Sequence, residues 1–528
     1  MQNKQMKHVV NGAFILSLAA LIAKILSAVY RVPFQNLVGN TGFYVYQQIY
    51  PLYGIGMTFA LSGLPVFISK LIAEQTDLGW QRETLRRSAI LLAGLSALIF
   101  IGLQFGAGGI AHAMGDRQLA PLIEAVAWMF LFMPWLALSR GYFQGRFVMV
   151  PTAISQVAEQ LVRVAVILLA AVWAVRGHWS VYKMGTWAMS GATFGAIAAS
   201  SVLLYFWWRR ARTATMPPSK VPAPRYGELL RRFLAEGGSL CLFASLIVLL
   251  QLMDSFSVKN NLVVAGLGQA AAKSLKGVYD RGQPLVQLGL VLATGLSASL
   301  LPSLTRALQR RRHNEFYRQA VMMIRLSFTF SAAAAGGLIA LMPGVNRLLF
   351  GNTQGDLALA LYMLSIVLVA LISSYSSVFQ SLGEYRLPTL ALLVGLAVKL
   401  AVNGWAVRRW QINGASSATV LALFVMFGLI WWRSRSYIQQ ALFRQQFLLK
   451  LMVCVGGMAL VVGVFFHQLV QWLQPGRLAT GGLVLVCIII GGSLFLFLTR
   501  VLHLLTIREW LALPMGKQFL RRFNKKDN

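Results

Sequence analysis

The sequence predicts an all-α integral membrane protein of about fourteen transmembrane helices: two parallel six-helix repeats around a central cavity, plus two C-terminal helices. Three observations carry this reading. Hydrophobic residues fill 57% of the 528 positions and charged residues only 12%, whereas a soluble chain carries roughly a quarter charged residues. Apolar runs of about twenty residues, enough to cross about 30 Å of hydrocarbon, recur along the whole chain. Lys and Arg also alternate in density between successive loops, as membrane topology requires.

The apolar runs place helices 1 to 6 at Gly12–Phe34, Tyr44–Ile72, Ala89–Ala113, Leu119–Leu138, Val150–Val175 and Met184–Trp208. Helices 7 to 12 follow at Phe233–Phe256, Val278–Leu304, Leu326–Met342, Leu357–Leu382, Pro388–Ala406 and Gly414–Trp432. Helices 13 and 14 are Leu451–Leu469 and Thr480–Leu498. Helix 1 follows a basic start (Lys4, Lys7) but lacks a small-residue cleavage site and contains Lys24 and Arg31, so it is expected to stay uncleaved. Helix 2 carries Pro51, Gly54, Gly56 and Pro65, which membrane helices tolerate where neighbours or a wet cavity satisfy the freed backbone.

Charge fixes the sidedness. With the N-terminus in the cytoplasm, 33 of the 48 Lys and Arg fall on cytoplasmic segments and helix ends, and 10 on outer loops. That asymmetry is what the positive-inside rule demands, and it puts both termini in the cytoplasm. The net charge of +33 is therefore mostly topological. Its densest clusters, Arg209 to Arg232, Arg310 to Arg312 and Arg521 to Lys526, suit anionic lipid headgroups rather than nucleic acid.

The two halves repeat at a constant offset. Leu64-Pro65 matches Leu301-Pro302 at 237 residues, Phe143-Gln144 matches Phe379-Gln380 at 236, and Pro151-Thr152 matches Pro388-Thr389 at 237. Six helices per copy is an even number, so both copies insert the same way, and such lobes suit alternating access. The expected organisation is a first lobe over 1–208, a basic linker over 209–232 with four prolines, and a second lobe over 233–432. Helices 13 and 14 and a basic tail occupy 433–528.

Five cations remain at membrane depth: Lys24, Arg31, Arg163, Arg281 and Lys399. Ionisable groups in the bilayer are unfavourable by a few kcal/mol or more, so each is a functional candidate. Lys24 and Arg31 lie about two turns apart on one face of helix 1. Glu159 and Arg163 are four apart on helix 5, which suits a structural or coupling ion pair within that helix. Lys399 occupies the matching place in the second lobe. Asp254 and Asp280 join Lys24, Arg31, Arg281 and Lys399 as the candidate substrate-binding set. Its sign is positive, and Lys and Arg donors in a wet cavity favour a phosphate or pyrophosphate anion.

Catalysis finds no support in the motifs. There is no G-x-x-x-x-G-K-[ST] loop, no H-E-x-x-H helix and no G-x-S-x-G elbow. Cys241, Cys454 and Cys487 all sit in apolar runs and read as buried hydrophobes, not metal ligands. Neither a metal nor a cofactor is expected, and energy would come from an ion gradient or the membrane potential, with the identity of any coupling ion not given by the sequence.

Three segments resemble a known family: Ala23-Lys24-Ile25-Leu26-Ser27 through Tyr30-Arg31-Val32-Pro33-Phe34, Gln156 to Arg163, and Gly277 to Gln287. They are similar to the MurJ/SpoVB-like lipid II and polysaccharide flippases of the multidrug/oligosaccharidyl-lipid/polysaccharide exporter superfamily. The resemblance covers essentially the whole chain. It implies transfer of an undecaprenyl-pyrophosphate-linked saccharide from the inner to the outer leaflet of a bacterial cytoplasmic membrane, by a monomer. It also implies that Lys24, Arg31 and Arg281 line the cavity. The chain departs from the family in two places: Lys24 stands where Arg is common, and helix 2 offers only Lys70, at its inner end. A drug or cation antiporter, and a non-transporting scaffold for wall or spore-cortex assembly, are the alternative readings.

Overall fold

The computed structural model describes residues 2–211, 222 and 224–512. Most of the expected linker (212–221 and 223) and the basic tail from 513 lie outside the described residues. The chain is 89% helical, and no strand occurs among the described residues. It divides into two compact units.

The first unit comprises Met1–Pro284 and Pro388–Ala418. It opens with α1 (Gln2–Val29), which continues almost without interruption into α2 (Arg31–Thr58). Gly39, at φ 70°, breaks α2 and separates the first crossing from the second; the left-handed backbone there is open to glycine without a Cβ penalty. A π-turn over Phe59–Gly63 leads into α3 (Leu64–Ala73). Then come α4 (Leu78–Ala113), capped by the Asp77 carboxylate accepting from Trp80 N at 2.7 Å, and the short α5 (Ala120–Ala127). α6 (Met133–Gly145), α7 (Val150–Arg176) and α8 (Val181–Ala211) complete the first set. Proline stands in the first turn of α3, α5, α6 and α7, where its missing N–H has no helical partner to lose.

α9 (Tyr226–Arg232), a second π-turn over Phe233–Gly237, α10 (Gly238–Ala244) and α11 (Leu246–Val264) form one interrupted rod. α12 (Gln269–Asp280) and α13 (Gly282–Gln309) meet at Arg281. In the second unit, Leu285–Leu387 with Thr419–Asn528, α14 (His313–Ala340), α15 (Met342–Phe350) and α16 (Asp356–Ser381) follow α13. α17 (Arg386–Trp432) gives residues 388–418 to the first unit and the remainder to the second. α18 (Ser436–Gln439), α19 (Phe447–Leu473), α20 (Arg477–Val501) and α21 (Ile507–Ala512) end the described chain.

Eleven helical segments among the described residues are long and apolar enough to cross a membrane. Two of them are too long for one crossing. Ile15–Ala73 and Arg386–Trp432, of 59 and 47 residues, would reach about 90 and 70 Å at 1.5 Å per residue, far beyond a core of about 30 Å. Gly39 divides the first, and Gln411, at φ 51°, divides the second. With α13 the described residues hold the fourteen long helices expected. Their outer faces are apolar: Phe105 is 86% and Leu98 68% exposed, a pattern that suits lipid rather than water.

The observed helices overrun the hydropathy boundaries where the extra turns are amphipathic. α4 begins at Leu78 instead of Ala89, and the rod containing helix 7 runs from Tyr226 to Val264 instead of Phe233 to Phe256. Hydropathy detects the buried or lipid-facing stretch; backbone hydrogen bonding carries the helix on into charged turns. All three cysteines are buried and free.

In the second unit α21 is tied down by local chemistry. Thr506 and Glu509 form a capping box at the start of α21: Glu509 Oε2 accepts from Thr506 N at 2.7 Å, and Thr506 Oγ1 accepts from Glu509 N at 3.4 Å. Arg325 of α14 meets the other carboxylate oxygen at 3.2 Å, donates to Leu504 O at 3.0 Å and lies over the Phe447 ring.

Candidate functional site

The charged residues of the first unit's interior fall into three groups. The first surrounds Arg31 at the start of α2. Its guanidinium is fully buried, 4.2 Å above the Tyr50 ring and 5.9 Å from that of Tyr30. Arg163 of α7, also buried, lies 4.4 Å over Tyr53 and 5.4 Å from Tyr30. Tyr46, Tyr50 and Tyr53 recur at helical spacing on one face of α2, and the Tyr46 and Tyr30 hydroxyls are 2.8 Å apart. The result is a cage of tyrosines holding two guanidinium planes.

Those planes are not satisfied. Arg31 has no ion-pair partner among the described residues and leans on tyrosines alone, and Nε and Nη1 of Arg163 have no hydrogen-bond partner there. Only Arg163 Nη2 reaches Ser27 Oγ, at 3.4 Å. Burying a charge costs several kcal/mol, and cation–π contacts return about 0.5–2 kcal/mol each. Aromatic stacking alone therefore leaves these two cations undercompensated.

The second group corrects an expectation. Glu159 does not pair with Arg163 along α7; it pairs with Arg140 of α6 at 2.6 Å, both buried. Arg140 also donates to Ala60 O, in the π-turn, at 3.1 Å and to Ser155 Oγ at 3.2 Å. Helical spacing brings Glu159 and Arg163 onto neighbouring turns, but Arg140 arrives from another helix with a complete hydrogen-bond set. Arg140 escaped sequence reading because the apolar run of helix 4 ends at Leu138, which assigned Arg140 to a loop.

The third group is held mostly by ion pairs. Lys399 of α17 pairs with Asp254 of α11 at 2.8 Å, both buried, and donates to Ala415 O at 3.2 Å. Tyr279 donates to the second Asp254 oxygen at 2.8 Å, and Asn403 to the first at 3.3 Å. Lys276 pairs with Asp280 at 2.5 Å inside α12, and Gln283 also donates to Asp280. Lys276 lies just before the hydropathy start of helix 8 at Val278, and its i,i+4 spacing to Asp280 is the signal for the pair. Arg281 is buried and donates to Asn40 Oδ1 at 2.7 Å. The approach is close enough that a Cβ on Gly277 would lie 2.2 Å from Asn40 O.

Of the candidate binding set, the structure thus joins Asp254 to Lys399, gives Asp280 to Lys276, and leaves Arg31 in the tyrosine cage. Lys24 lies on an exposed face of α1, seven residues before Arg31. Among the described residues no three His, Cys, Asp or Glu side chains converge as metal ligands would.

Charged contacts close both ends of the unit around these groups. At one end Arg232 holds Glu74 at 2.6 Å and Glu236 at 3.1 Å, and Lys70 meets Glu236 at 2.5 Å. At the other, Asp116 accepts from Tyr182 at 2.8 Å and pairs with Lys273 at 2.8 Å, while Lys259 donates to Gly115 O at 2.7 Å. Lys273 is partly buried, which lowers its affinity for a proton, but Asp116 and Tyr182 outweigh that and hold it above the ordinary lysine range.

Residues 9–308 match a family described as polysaccharide biosynthesis protein. The chain is 36% identical to the uncharacterized membrane protein YabM of Bacillus subtilis, over 97% of this chain and 96% of that one. It is 26% identical to the lipid II flippase MurJ of the same organism, over 92% and 94% of the two chains. Among solved structures it is similar to a lipid II flippase MurJ in an inward closed conformation, with a TM-score of 0.67 and 14% identity, over 92% of this chain and 98% of that one. An inward-facing multidrug transporter of the MATE family and MOP superfamily gives a TM-score of 0.60 at 16% identity, over 80% and 96%. These last two likenesses concern the fold.

Proposed function

The chain belongs to the polysaccharide biosynthesis protein family, and from that premise we propose that it is a flippase for an undecaprenyl-pyrophosphate-linked saccharide, lipid II or a related precursor. The observation that carries this is Arg31, a fully buried cation set among tyrosines with no ion-pair partner among the described residues, in the interior of a multi-pass membrane protein. A site with uncompensated positive charge favours an anion, and guanidinium forks suit phosphate oxygens. The similarity to a lipid II flippase supports the same substrate class.

In this reading the chain sits in the bacterial cytoplasmic membrane with both termini inside and works as a monomer. Lobes over 1–208 and 233–432 rock about the headgroup while the polyprenyl tail stays in lipid. Lys24, Arg31 and Arg281 contact the diphosphate. Asp254, Asp280 and Lys399 act beside them as positioning groups, since their charges are already paired. An ion gradient or the membrane potential supplies the energy.

Complementation after depletion of a host's lipid II flippase tests the reading. The wild-type chain should restore growth, and Lys24→Ala, Arg31→Ala and Arg281→Ala should each abolish rescue at normal membrane levels. Rescue by all three variants would overturn the cavity assignment. Failure of the wild-type chain, at normal levels, would remove lipid II as the cargo.

A further inference from the structure

The second unit carries a cavity of its own. It has a volume of about 420 Å³ and is lined by Phe379, Glu384, Leu387, Trp432 and Arg433, all within Leu285–Leu387 and Thr419–Asn528. That volume suits a small ligand or a headgroup. Its walls are the last turn of α16, the turn into α17 and the last turn of α17. It therefore lies where apolar segments end and the membrane surface begins.

The turn after α16 explains the opening. Glu384 N donates to Phe379 O at 2.9 Å and Gly383 N to Gln380 O at 3.0 Å, with Gly383 at φ 77°. This is the Schellman ending of a helix, in which an apolar side chain at the place of Glu384 commonly covers the one at the place of Phe379. A carboxylate stands there instead. It also stands at the negative end of the α16 dipole, an unfavourable place for an anion. Glu384 is exposed, and no cation pairs with it among the described residues.

The other charge, Arg433, follows the last residue of α17, where an arginine often caps helix carbonyls. Other groups do that here. Ser434 Oγ donates to Trp431 O at 2.6 Å, and Gln439 Nε2 donates to Trp431 O at 3.0 Å and to Trp432 O at 2.9 Å. Arg433, like Glu384, has no ion-pair partner among the described residues. The rest of the lining is apolar, and Trp432 is 68% exposed, as suits an indole at headgroup level.

A carboxylate and a guanidinium thus share one apolar-walled cavity without pairing with each other. A simple anion or cation answers only one of them; a zwitterion answers both. We propose that this cavity binds the headgroup of a zwitterionic phospholipid with a primary ammonium, phosphatidylethanolamine. The ammonium donates to Glu384, Arg433 donates to the phosphate, and Trp432, Phe379 and Leu387 pack on the glycerol end. A primary ammonium brings N–H donors to the carboxylate, which a quaternary ammonium lacks. In the topology proposed above this face is cytoplasmic, so the lipid comes from the inner leaflet. It is a bound partner, independent of what the chain transports.

The test uses the full chain in detergent, with dioleoyl phosphatidylethanolamine, phosphatidylcholine and phosphatidylglycerol as probes and native mass spectrometry as the readout. The wild type should retain phosphatidylethanolamine about fivefold more than either other lipid, as a part-exposed charge-assisted contact allows. Glu384→Gln should bring phosphatidylethanolamine and phosphatidylcholine to parity, whereas Glu384→Asp, which keeps the carboxylate, should keep the preference. Arg433→Gln should lower retention of both zwitterions alike. Trp432→Ala should lower retention of all three lipids. Both charged side chains are exposed, so melting temperatures without added lipid should not move. A wild type with no preference for phosphatidylethanolamine, or a preference that survives Glu384→Gln, would overturn the proposal. So would phosphatidylglycerol retained above phosphatidylethanolamine, which would mark the rim as a plain basic surface.

Discussion

Arg163 and Lys399 stand 236 residues apart, at matching places in the two sequence repeats, and the molecule treats them in opposite ways. Lys399 has a carboxylate at 2.8 Å and a backbone carbonyl at 3.2 Å, and its acidic partner is itself held by Tyr279 and Asn403. Arg163 has tyrosine faces and one long contact to Ser27. A buried charge that is fully compensated stabilises or specifies the structure, and removing its partner is severe. A buried charge left uncompensated is a standing penalty, which a protein keeps where a ligand will offset it. Membrane depth alone does not distinguish the two cases; the partners do.

Breaking the compensated side should give the largest effects. Lys399→Met, which strands Asp254, should cost about 3–5 kcal/mol in thermal unfolding, as should Arg140→Met, which strands Glu159. Pairing each with Asp254→Asn or Glu159→Gln should recover most of the loss. Additive losses in the double variants would show that the pairs are not coupled. In the second unit, Glu509→Ala removes both a capping partner and the counter-charge of Arg325, and should cost about 1–3 kcal/mol. The readout is earlier proteolysis near the chain end as the protein is warmed.

The clamp of Lys70 with Glu236 is partly exposed, so Lys70→Ala should cost no more than about 1 kcal/mol. Its effect should appear instead as faster labelling of Cys241 by a thiol reagent, because Cys241 packs against Gly63 beside that clamp. Unchanged labelling would show that the clamp does not govern opening there. Smallest of all should be the stability change in Arg31→Gln, within about 1 kcal/mol of zero or stabilising, since no charged partner is stranded. A loss as large as that of Lys399→Met would erase the contrast between the two regions.

Much of the fold was legible because lipid imposes a coarse code. Run length and Lys/Arg placement recovered fourteen long helices, including the divisions near Gly39 and Gln411 that the backbone alone nearly conceals. The site was legible only in part. Lys24, Arg31, Arg281 and Lys399 stood out because ionisable residues are rare at that depth. Their partners did not: i,i+4 spacing favoured Glu159 with Arg163, while the observed pair joins α6 to α7. Arg140 and Lys276 were missed because the hydropathy boundary fell beside each of them. The central property of Arg163, that no carboxylate among the described residues pairs with it while Glu159 goes to Arg140, is three-dimensional and leaves no trace in spacing.

The pairing of Asp254 with Lys399 also has a consequence in time. Asp254 lies on α11, whose mean hydropathy of 1.2 is the lowest of the eleven apolar segments. Its counter-charge lies on α17, which closes the first unit only after the intervening helices have been made. At bacterial translation rates that interval is on the order of ten seconds. During biosynthesis, then, a weakly apolar helix carrying a carboxylate must be retained by the insertion machinery or by earlier helices. Ribosome stalling between the two codons should leave α11 open to extraction from the membrane, and stalling after residue 418 should not.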